Sequence, residues 1–432
     1  YYGAQYGGST TSVLVNLPGE ASSVVTCLDG HKMAQQGRAG VALSIAALGS
    51  FFAGCVGTLL IALFGPALAG FSQKFSSPEY FSLMVLGLIA AIVLAHGSVI
   101  KAVGMIFLGL FLGLVGMDPN TGAARYTFGL PELADGLGFV PIAMGVFGLS
   151  EIILNLERGQ DRRVVSSRIR GLWPSRKDFR DAWAPAVRGT FLGSVLGVLP
   201  GGGAVLSSFA SYTLEKRLAR DPSHFGQGAI EGVAGPESAN NAAAQTSFIP
   251  LLTLGLPSNA VMALMMGAMI IQGIAPGPGV MHERPELFWG MVASMWIGNL
   301  MLVIINLPLI GVWVSLLKVP YRFLFPAILV FCCIGVYSLN NSTVEVIIMV
   351  AFGLLGYVFA KTGCEGAPFL LGFILGPLME ENLRRAMLIS RGDPLVFVTR
   401  PISAVLLILS ALLLFLVIFP AIREKREEAF QE

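Results

Sequence analysis

Charge is scarce in this sequence. Only 12% of its 432 residues are Asp, Glu, Lys or Arg, where an ordinary soluble protein carries about a quarter. With 54% hydrophobic residues and a mean hydropathy of +0.73, too little polar surface remains to cover a water-soluble body of this size. That excludes a soluble globular fold and predicts a polytopic membrane protein. An excess of either sign is also missing: 28 Lys+Arg face 26 Asp+Glu for a net charge of +2, so no nucleic-acid partner is expected. Histidine and cysteine are sparse. The five cysteines (Cys27, Cys55, Cys332, Cys333, Cys364) have no metal-ligand spacing and read as small packing residues. His31, His96, His224 and His282 form no HExxH and fall at predicted ends or loops, which speaks against a zinc site or an intramembrane hydrolase. No Walker-type phosphate loop is present, which excludes direct coupling to ATP hydrolysis within this chain. No enzyme activity and no cofactor are expected.

Long apolar runs, by contrast, are plentiful. Those near 41–69, 80–96, 99–116, 137–156, 287–317, 323–339, 344–360 and 402–420 reach or approach the ~20 residues that a bilayer crossing needs. The most basic stretch, 157–188, carries nine Lys or Arg between Arg158 and Arg188 and is assigned to the cytoplasm. Counting back from it puts His31, Lys32 and Arg38 inside and 117–136 outside. The C-terminal end conflicts with the same rule. Arg384, Arg385, Arg391 and Arg400 precede the single run 402–420, and Arg423, Lys425 and Arg426 follow it, so both basic groups cannot be inside.

Two regions depart from simple spans. Residues 187–199 and 204–214 are apolar but short, have basic flanks, and meet at Pro200-Gly201-Gly202. They predict a re-entrant hairpin, tolerated at membrane depth only when buried in protein or lining a polar cavity. The apolar stretch 244–272 is interrupted by Leu256-Pro257-Ser258-Asn259, which predicts a broken helix, because Pro lacks the N–H and disfavours helix in the residue before it.

Setting Leu17-Pro18-Gly19-Glu20 against Leu256-Pro257-Ser258-Asn259 aligns Val13 with Leu252, Ala21 with Ala260 and Gly40 with Gly279 without a gap. The charge assignment gives the two copies opposite directions, as an inverted-topology repeat requires, and paired broken segments of this kind point to a transport site near the midplane. The organisation read from this is a first repeat over 1–156, a basic cytoplasmic linker over 157–186, and a second repeat with C-terminal spans over 187–432. The hairpin of the first repeat is expected upstream of Tyr1.

Between hairpin and break lies a small-residue segment carrying Glu231, Glu237, Asn240, Asn241 and Gln245. It reads either as a cytoplasmic linker capped by Ser238 or Asn240, or as part of the site, since polar groups inside a membrane are costly unless functional. Hydroxyls and N–H groups at half-helix N-termini suit carboxylates. Carbonyl oxygens and carboxylates such as Glu20 and Glu237 suit a coupling cation. Neither broken segment contains Lys or Arg.

The run Tyr2-Gly-Ala-Gln-Tyr-Gly-Gly-Ser-Thr-Thr-Ser-Val-Leu-Val-Asn-Leu-Pro-Gly-Glu closely resembles the first signature of the tripartite tricarboxylate transporter large permease subunit, of the TctA type. Leu199-Pro-Gly-Gly-Gly-Ala, the stretch from Phe225 through Glu237-Ser-Ala-Asn-Asn to Leu256-Pro257, and Leu375-Gly-Pro-Leu-Met-Glu-Glu-Asn are similar to further signatures of that family. Gly255-Leu256-Pro257-Ser258-Asn259 stands where the family usually shows Gly-Ile-Pro-Gly-Ser, and the family's first Leu-Pro-Gly hairpin is absent.

The resemblance implies a multi-pass permease of the bacterial inner membrane for citrate-like or other organic carboxylates. It implies a small membrane subunit and a periplasmic binding protein as partners, and Na⁺ or H⁺ as the driving ion. The overall expectation is an all-α membrane protein with inverted repeats, re-entrant hairpins and Pro/Gly-broken helices. Its substrate contacts are expected from Ser9, Thr10, Thr11, Asn16, Pro18 and Gly19 in repeat one. Those of repeat two are Pro200, Gly201, Gly202, Asn240, Asn241, Ser258 and Asn259, with Glu20 and Glu237 coupling the ion. The competing readings are a passive anion channel and a non-transporting membrane scaffold.

Overall fold

The computed structural model describes residues 1–16, 18–72, 74–94, 98–118, 121–158, 172–199, 203–277, 279–312 and 321–418. In chain order the helices are α1 Tyr2–Val15, α2 Val24–Gln35, α3 Ala39–Ser72, α4 Ser77–Leu94, α5 Val99–Gly113, α6 Phe139–Ala143 and α7 Ser150–Arg158. There follow α8 Arg176–Leu196, α9 Gly203–Leu218, α10 Glu231–Thr246, α11 Phe248–Leu254, α12 Ala260–Ile271, α13 Gly279–Glu283 and α14 Pro285–Asn306. Long helices then run over Tyr321–Asn340, Thr343–Thr362, Gly366–Ile389 and Pro401–Ile418. A two-residue antiparallel ribbon, Gly116–Met117 with Ala124–Arg125, is the one pair of strands among the described residues. The chain is thus an all-α polytopic membrane protein. Ala39–Leu68, Phe139–Glu157, Pro285–Asn306 and Thr343–Thr362 are long and apolar enough to cross a bilayer by length and composition. Five further apolar helices are shorter.

The chain forms two compact units. One comprises 1–70, 161–258 and 275–320; the other comprises 71–160, 259–274 and 321–432. Each unit is assembled from segments far apart in the sequence.

In the first unit α10 is the central element, and nearly all of its residues are buried. Its composition explains how. Gly189 and Gly193 on α8 and Gly197 at its C-cap recur every fourth residue and bring the two backbones into contact, the close approach that small residues allow between membrane helices. A Cβ on Gly193 would lie 2.1 Å from the Ala239 carbonyl oxygen, and one on Gly189 would lie 2.2 Å from that of Gly235. Gly49 and Gly57 of α3 serve a second face of α10, against Ser238 and Gln245. Gly193→Ala is therefore expected to force the helices apart and cost about 1–3 kcal/mol, read as a lower unfolding temperature in detergent. Gly104→Ala on α5, where nothing lies within 4 Å, should change it little.

Several expectations on this unit need correction. The first arm of the hairpin is not a dozen residues but the 21-residue α8, which begins inside the basic linker. Ser175 and Asp178 form a reciprocal capping box that starts the helix there. Partial burial works against ionisation of Asp178, but the Ser175 hydroxyl and amide and the Arg38 guanidinium outweigh it and hold the carboxyl below its usual range. The stability this adds is present at neutral pH and fades as acid protonates the group. The hairpin tip, Pro200-Gly201-Gly202, lies outside the described residues. The segment 231–245 is a buried helix and not a linker. It runs through Ser247 into α11, so the first half of the broken helix begins well before 244. In the run 287–317, α14 ends at Asn306, helix resumes over 310–312, and 313–317 lie outside the described residues.

In the second unit, Gly366–Ile389 is a long helix that the apolar runs did not predict, because Glu380, Glu381, Arg384 and Arg385 interrupt its hydropathy. It packs on α5 through glycine: a Cβ on Gly109 would meet the Phe369 carbonyl oxygen at 2.1 Å. The expected span 137–156 contains a π-helical turn, Met144–Leu149, where Gly145 lies against the backbone of Met349 and Gly353.

The charge conflict at the C-terminal end also finds a physical account. Arg384 pairs with Asp118 at 3.0 Å and with Glu380 at 2.6 Å, and Arg125 pairs with Glu380 at 2.8 Å. Arg400 pairs with Glu79 at 2.6 Å, at the start of α4. Asp118 and Glu79 lie in segments that the charge assignment expects outside, and they pair two of the arginines of 380–400, Arg384 and Arg400. Pro394→Cys, in a cysteine-free background, is then expected to react with an impermeant maleimide added from the periplasmic side. Labelling only after permeabilisation would put this turn inside.

Candidate functional site

The first break is built by local chemistry. The α1 helix ends at Asn16, which takes the left-handed conformation (φ +56°) that Asn tolerates at a C-cap. Beyond it Gly19 folds back on α1 so closely that a Cβ would lie 2.5 Å from the Gly8 Cα. Only glycine at both positions permits that approach. The fold-back brings the Glu20 carboxylate to Gln5 Nε2 (2.5 Å) and to Ser22 Oγ (2.5 Å). Ser22 Oγ also reaches Gln5 Oε1 at 2.9 Å. Ser208 Oγ of α9 donates to the Ser22 carbonyl at 2.6 Å, tying the hairpin's second arm to this break.

The second break has the same form. The α11 helix ends at Gly255 (φ +69°), whose backbone lies against Pro276 and Gly277. The α12 helix begins after Asn259, whose Oδ1 accepts the Met262 N–H at 2.9 Å as an N-cap. Ser258, between them, is fully buried and its hydroxyl has no partner. At each break a helix thus ends in a left-handed C-cap two residues before a Pro.

Glu237 sits at the centre of the first unit, fully buried on α10. Ser9 Oγ of α1 donates to its Oε2 at 2.5 Å, Thr26 Oγ1 of α2 donates to Oε1, and Asn240 Nδ2 lies 3.4 Å from Oε2. All three are neutral donors. Among the described residues no Lys, Arg or His pairs with this carboxylate. Asn241 extends the network through its Nδ2, which donates to Ser50 Oγ of α3 (2.7 Å), to Asn240 Oδ1 (2.6 Å) and to the Glu237 carbonyl (2.9 Å).

The expected site residues therefore divide. Ser9, Asn240, Asn241 and Glu237 form one buried cluster, and Glu20 forms a second with Gln5 and Ser22. Thr10 is buried on α1, and Thr11 bonds back to the Gly8 carbonyl at 3.1 Å. Asn16, Pro18 and Gly19 are exposed at the turn. Asn259 is spent on its cap. Pro200, Gly201 and Gly202 lie outside the described residues. No group of three His, Cys, Asp or Glu gathers among the described residues, so the oxygens that converge are hydroxyls, amides and single carboxylates.

Sequence reasoning missed Thr26, Ser50, Asn299 and Asp29. Asn299 of α14 accepts from the hydroxyls of Tyr2 (2.9 Å) and Tyr6 (2.7 Å), which anchors α1. Asp29 is fully buried on α2; its Oδ1 accepts the backbone N–H groups of Gly226, Gly228 and Ala229, each at 2.8 Å. Its Oδ2 accepts the Tyr212 hydroxyl at 2.9 Å. The signal available was the Phe225-Gly-Gln-Gly-Ala run, a loop rich enough in glycine to turn several N–H groups toward one acceptor.

The geometry can be set beside known proteins. A protein of Agrobacterium vitis described as an uncharacterised 52.8 kDa protein in the TAR-I ttuC' 3' region is 62% identical over 432 residues, covering 100% of this chain and 86% of its own. A second from the same organism, described by the TAR-II ttuC' 3' region, is 65% identical over 240 residues, covering 56% of this chain and 99% of its own. No solved structure matches. The family described as the tripartite tricarboxylate transporter TctA family matches residues 1–371. With its paired helix breaks and buried polar core, the chain belongs to the tripartite tricarboxylate transporter TctA family.

Proposed function

We propose that this chain is the permease subunit of an ion-gradient-driven secondary transporter that imports tricarboxylates or related organic carboxylates across the bacterial inner membrane. A small membrane subunit completes the transporter, and a periplasmic binding protein delivers the substrate. Na⁺ or H⁺ supplies the driving force. The observation that carries this reading is Glu237. It is a fully buried carboxylate, held among the described residues by neutral donors from α1, α2 and its own helix. A buried charge must be neutralised, paired or metal-bound, and one tied to both repeats is suited to sense an arriving ion and pass the change on.

The Ser258 hydroxyl, buried and without a partner among the described residues, offers a free donor to a substrate carboxylate. Glu20, Asn240 and Asn241 complete the groups through which substrate and ion are coupled. The test is uptake of radiolabelled citrate into proteoliposomes holding the chain with both partners. Uptake should require an inward Na⁺ or H⁺ gradient and collapse with the matching ionophore. Uptake indifferent to every imposed gradient would identify a passive channel, and none under any condition a scaffold.

A further inference from the structure

Beyond Glu237, one and two helical turns along the same face of α10, stand Asn241 and Gln245. Both are fully buried. The Asn241 nitrogen is committed to three acceptors, among them the Glu237 carbonyl, which fixes the orientation of its amide. Its Oδ1 is left with no partner among the described residues. Among the described residues neither amide atom of Gln245 makes a hydrogen bond of sound geometry, though the Tyr2 hydroxyl is near enough to interact with its amide. The opposing helix α3 is close: a Cβ on Gly57 would meet the Gln245 Cβ at 2.6 Å, and one on Gly54 would collide with the Tyr2 hydroxyl.

Buried oxygens of this kind are satisfied by protein, ordered water or an ion. Water alone would not balance Glu237, which in its ionised form needs a counter-charge. Neutral carbonyl and hydroxyl oxygens are the ligands of hard cations. One neighbouring carboxylate balances one positive charge, and the glycine-tight wall of α3 favours a small ion. We propose that Asn241 Oδ1 and Gln245 Oε1, with the Tyr2 hydroxyl beside them, hold a Na⁺ ion whose charge is balanced by Glu237. The inference rests on reading this core as the coupling region of a transporter and names the ion and its ligands. It separates their roles as well: the amides bind the ion, and Glu237 supplies the charge.

The test uses the purified full chain in detergent and no substrate. Unfolding temperature is followed as NaCl replaces choline chloride at constant ionic strength, with KCl as the comparison. Na⁺ is expected to raise it saturably, and K⁺ is expected not to. Asn241→Ala and Gln245→Ala should each weaken the apparent Na⁺ affinity about tenfold or more, the loss of one good ligand. Ser194→Ala, a buried hydroxyl on α8 equally without a partner, should respond as the wild type does. Identical curves in Na⁺, K⁺ and choline would overturn the site, as would an unchanged Na⁺ response in both amide variants. Carboxylate uptake driven by protons alone would remove the site and leave the transport reading standing. Na⁺-specific stabilisation in a chain that moves no carboxylate would do the reverse.

Discussion

Asp29→Ala is expected to prevent most of the protein from accumulating in a folded form. The Asp29 carboxylate accepts three backbone N–H groups and one phenol in a fully buried position. Removing it leaves those four donors without a partner; an unsatisfied buried group costs about 1–3 kcal/mol, in full for the buried Ala229 N–H and less for the three partly buried donors. The sum is a large share of the stability margin of a typical domain, about 5–15 kcal/mol. Gly232 is packed so closely on this carboxylate that a Cβ there would lie 2.3 Å from Asp29 Oδ2. Asp29→Asn keeps the Oδ1 acceptor for all three N–H groups and should retain most of the yield. The measurement is the monodisperse fraction after extraction. Wild-type recovery of Asp29→Ala would mean that the loop before α10 is held by something else.

The second large effect falls on transport. Glu237→Gln should lower gradient-driven carboxylate uptake about 100-fold, the loss of roughly 2.7 kcal/mol at the limiting step. The same substitution should not unfold the protein. Glutamine is isosteric, keeps one acceptor, and the Ser9 and Thr26 hydroxyls can reverse to accept from the new amide. Removing a buried charge that has no cationic side-chain partner among the described residues is expected to raise stability by about 1–2 kcal/mol in Na⁺-free buffer. Opposite signs for transport and stability separate a functional carboxylate from a structural one. Asp29 and Glu237 are both fully buried acids, but only Asp29 has its charge matched by a nest of N–H groups.

How much of this was legible in the sequence depended on the range of the physics involved. The breaks at 16–20 and 255–259 were legible because Pro and Gly act on their own residues and immediate neighbours. The spans were legible because a bilayer imposes a fixed length of apolar chain. Hydropathy misled where capping competed with it. Ser175 and Asp178 start α8 eleven residues before the apolar run, and the Ser-x-x-Asp signature was there to be weighed. It misled again at Gly366–Ile389, where ion pairs to Asp118 and Arg125 neutralise charges that break the apolar run. The partners of Glu237 were beyond reach, since Ser9 and Thr26 are 228 and 211 residues away. Only the fold decides which hydroxyl meets which acid. The glycine line at 189, 193 and 197 was readable as a helix-packing face, and it is what allows a polar helix such as α10 to be buried at all.

The account stands on the claim that the buried cluster of α1 and α10 is where an organic anion and its coupling ion are handled. The most direct measurement is radiolabelled citrate uptake by the double variant Asn240→Ala, Asn241→Ala in proteoliposomes with both partner proteins, under the gradient that drives the wild type. Uptake at the level of protein-free vesicles, from a variant that inserts and purifies as the wild type does, is the predicted result. Undiminished uptake would contradict the claim.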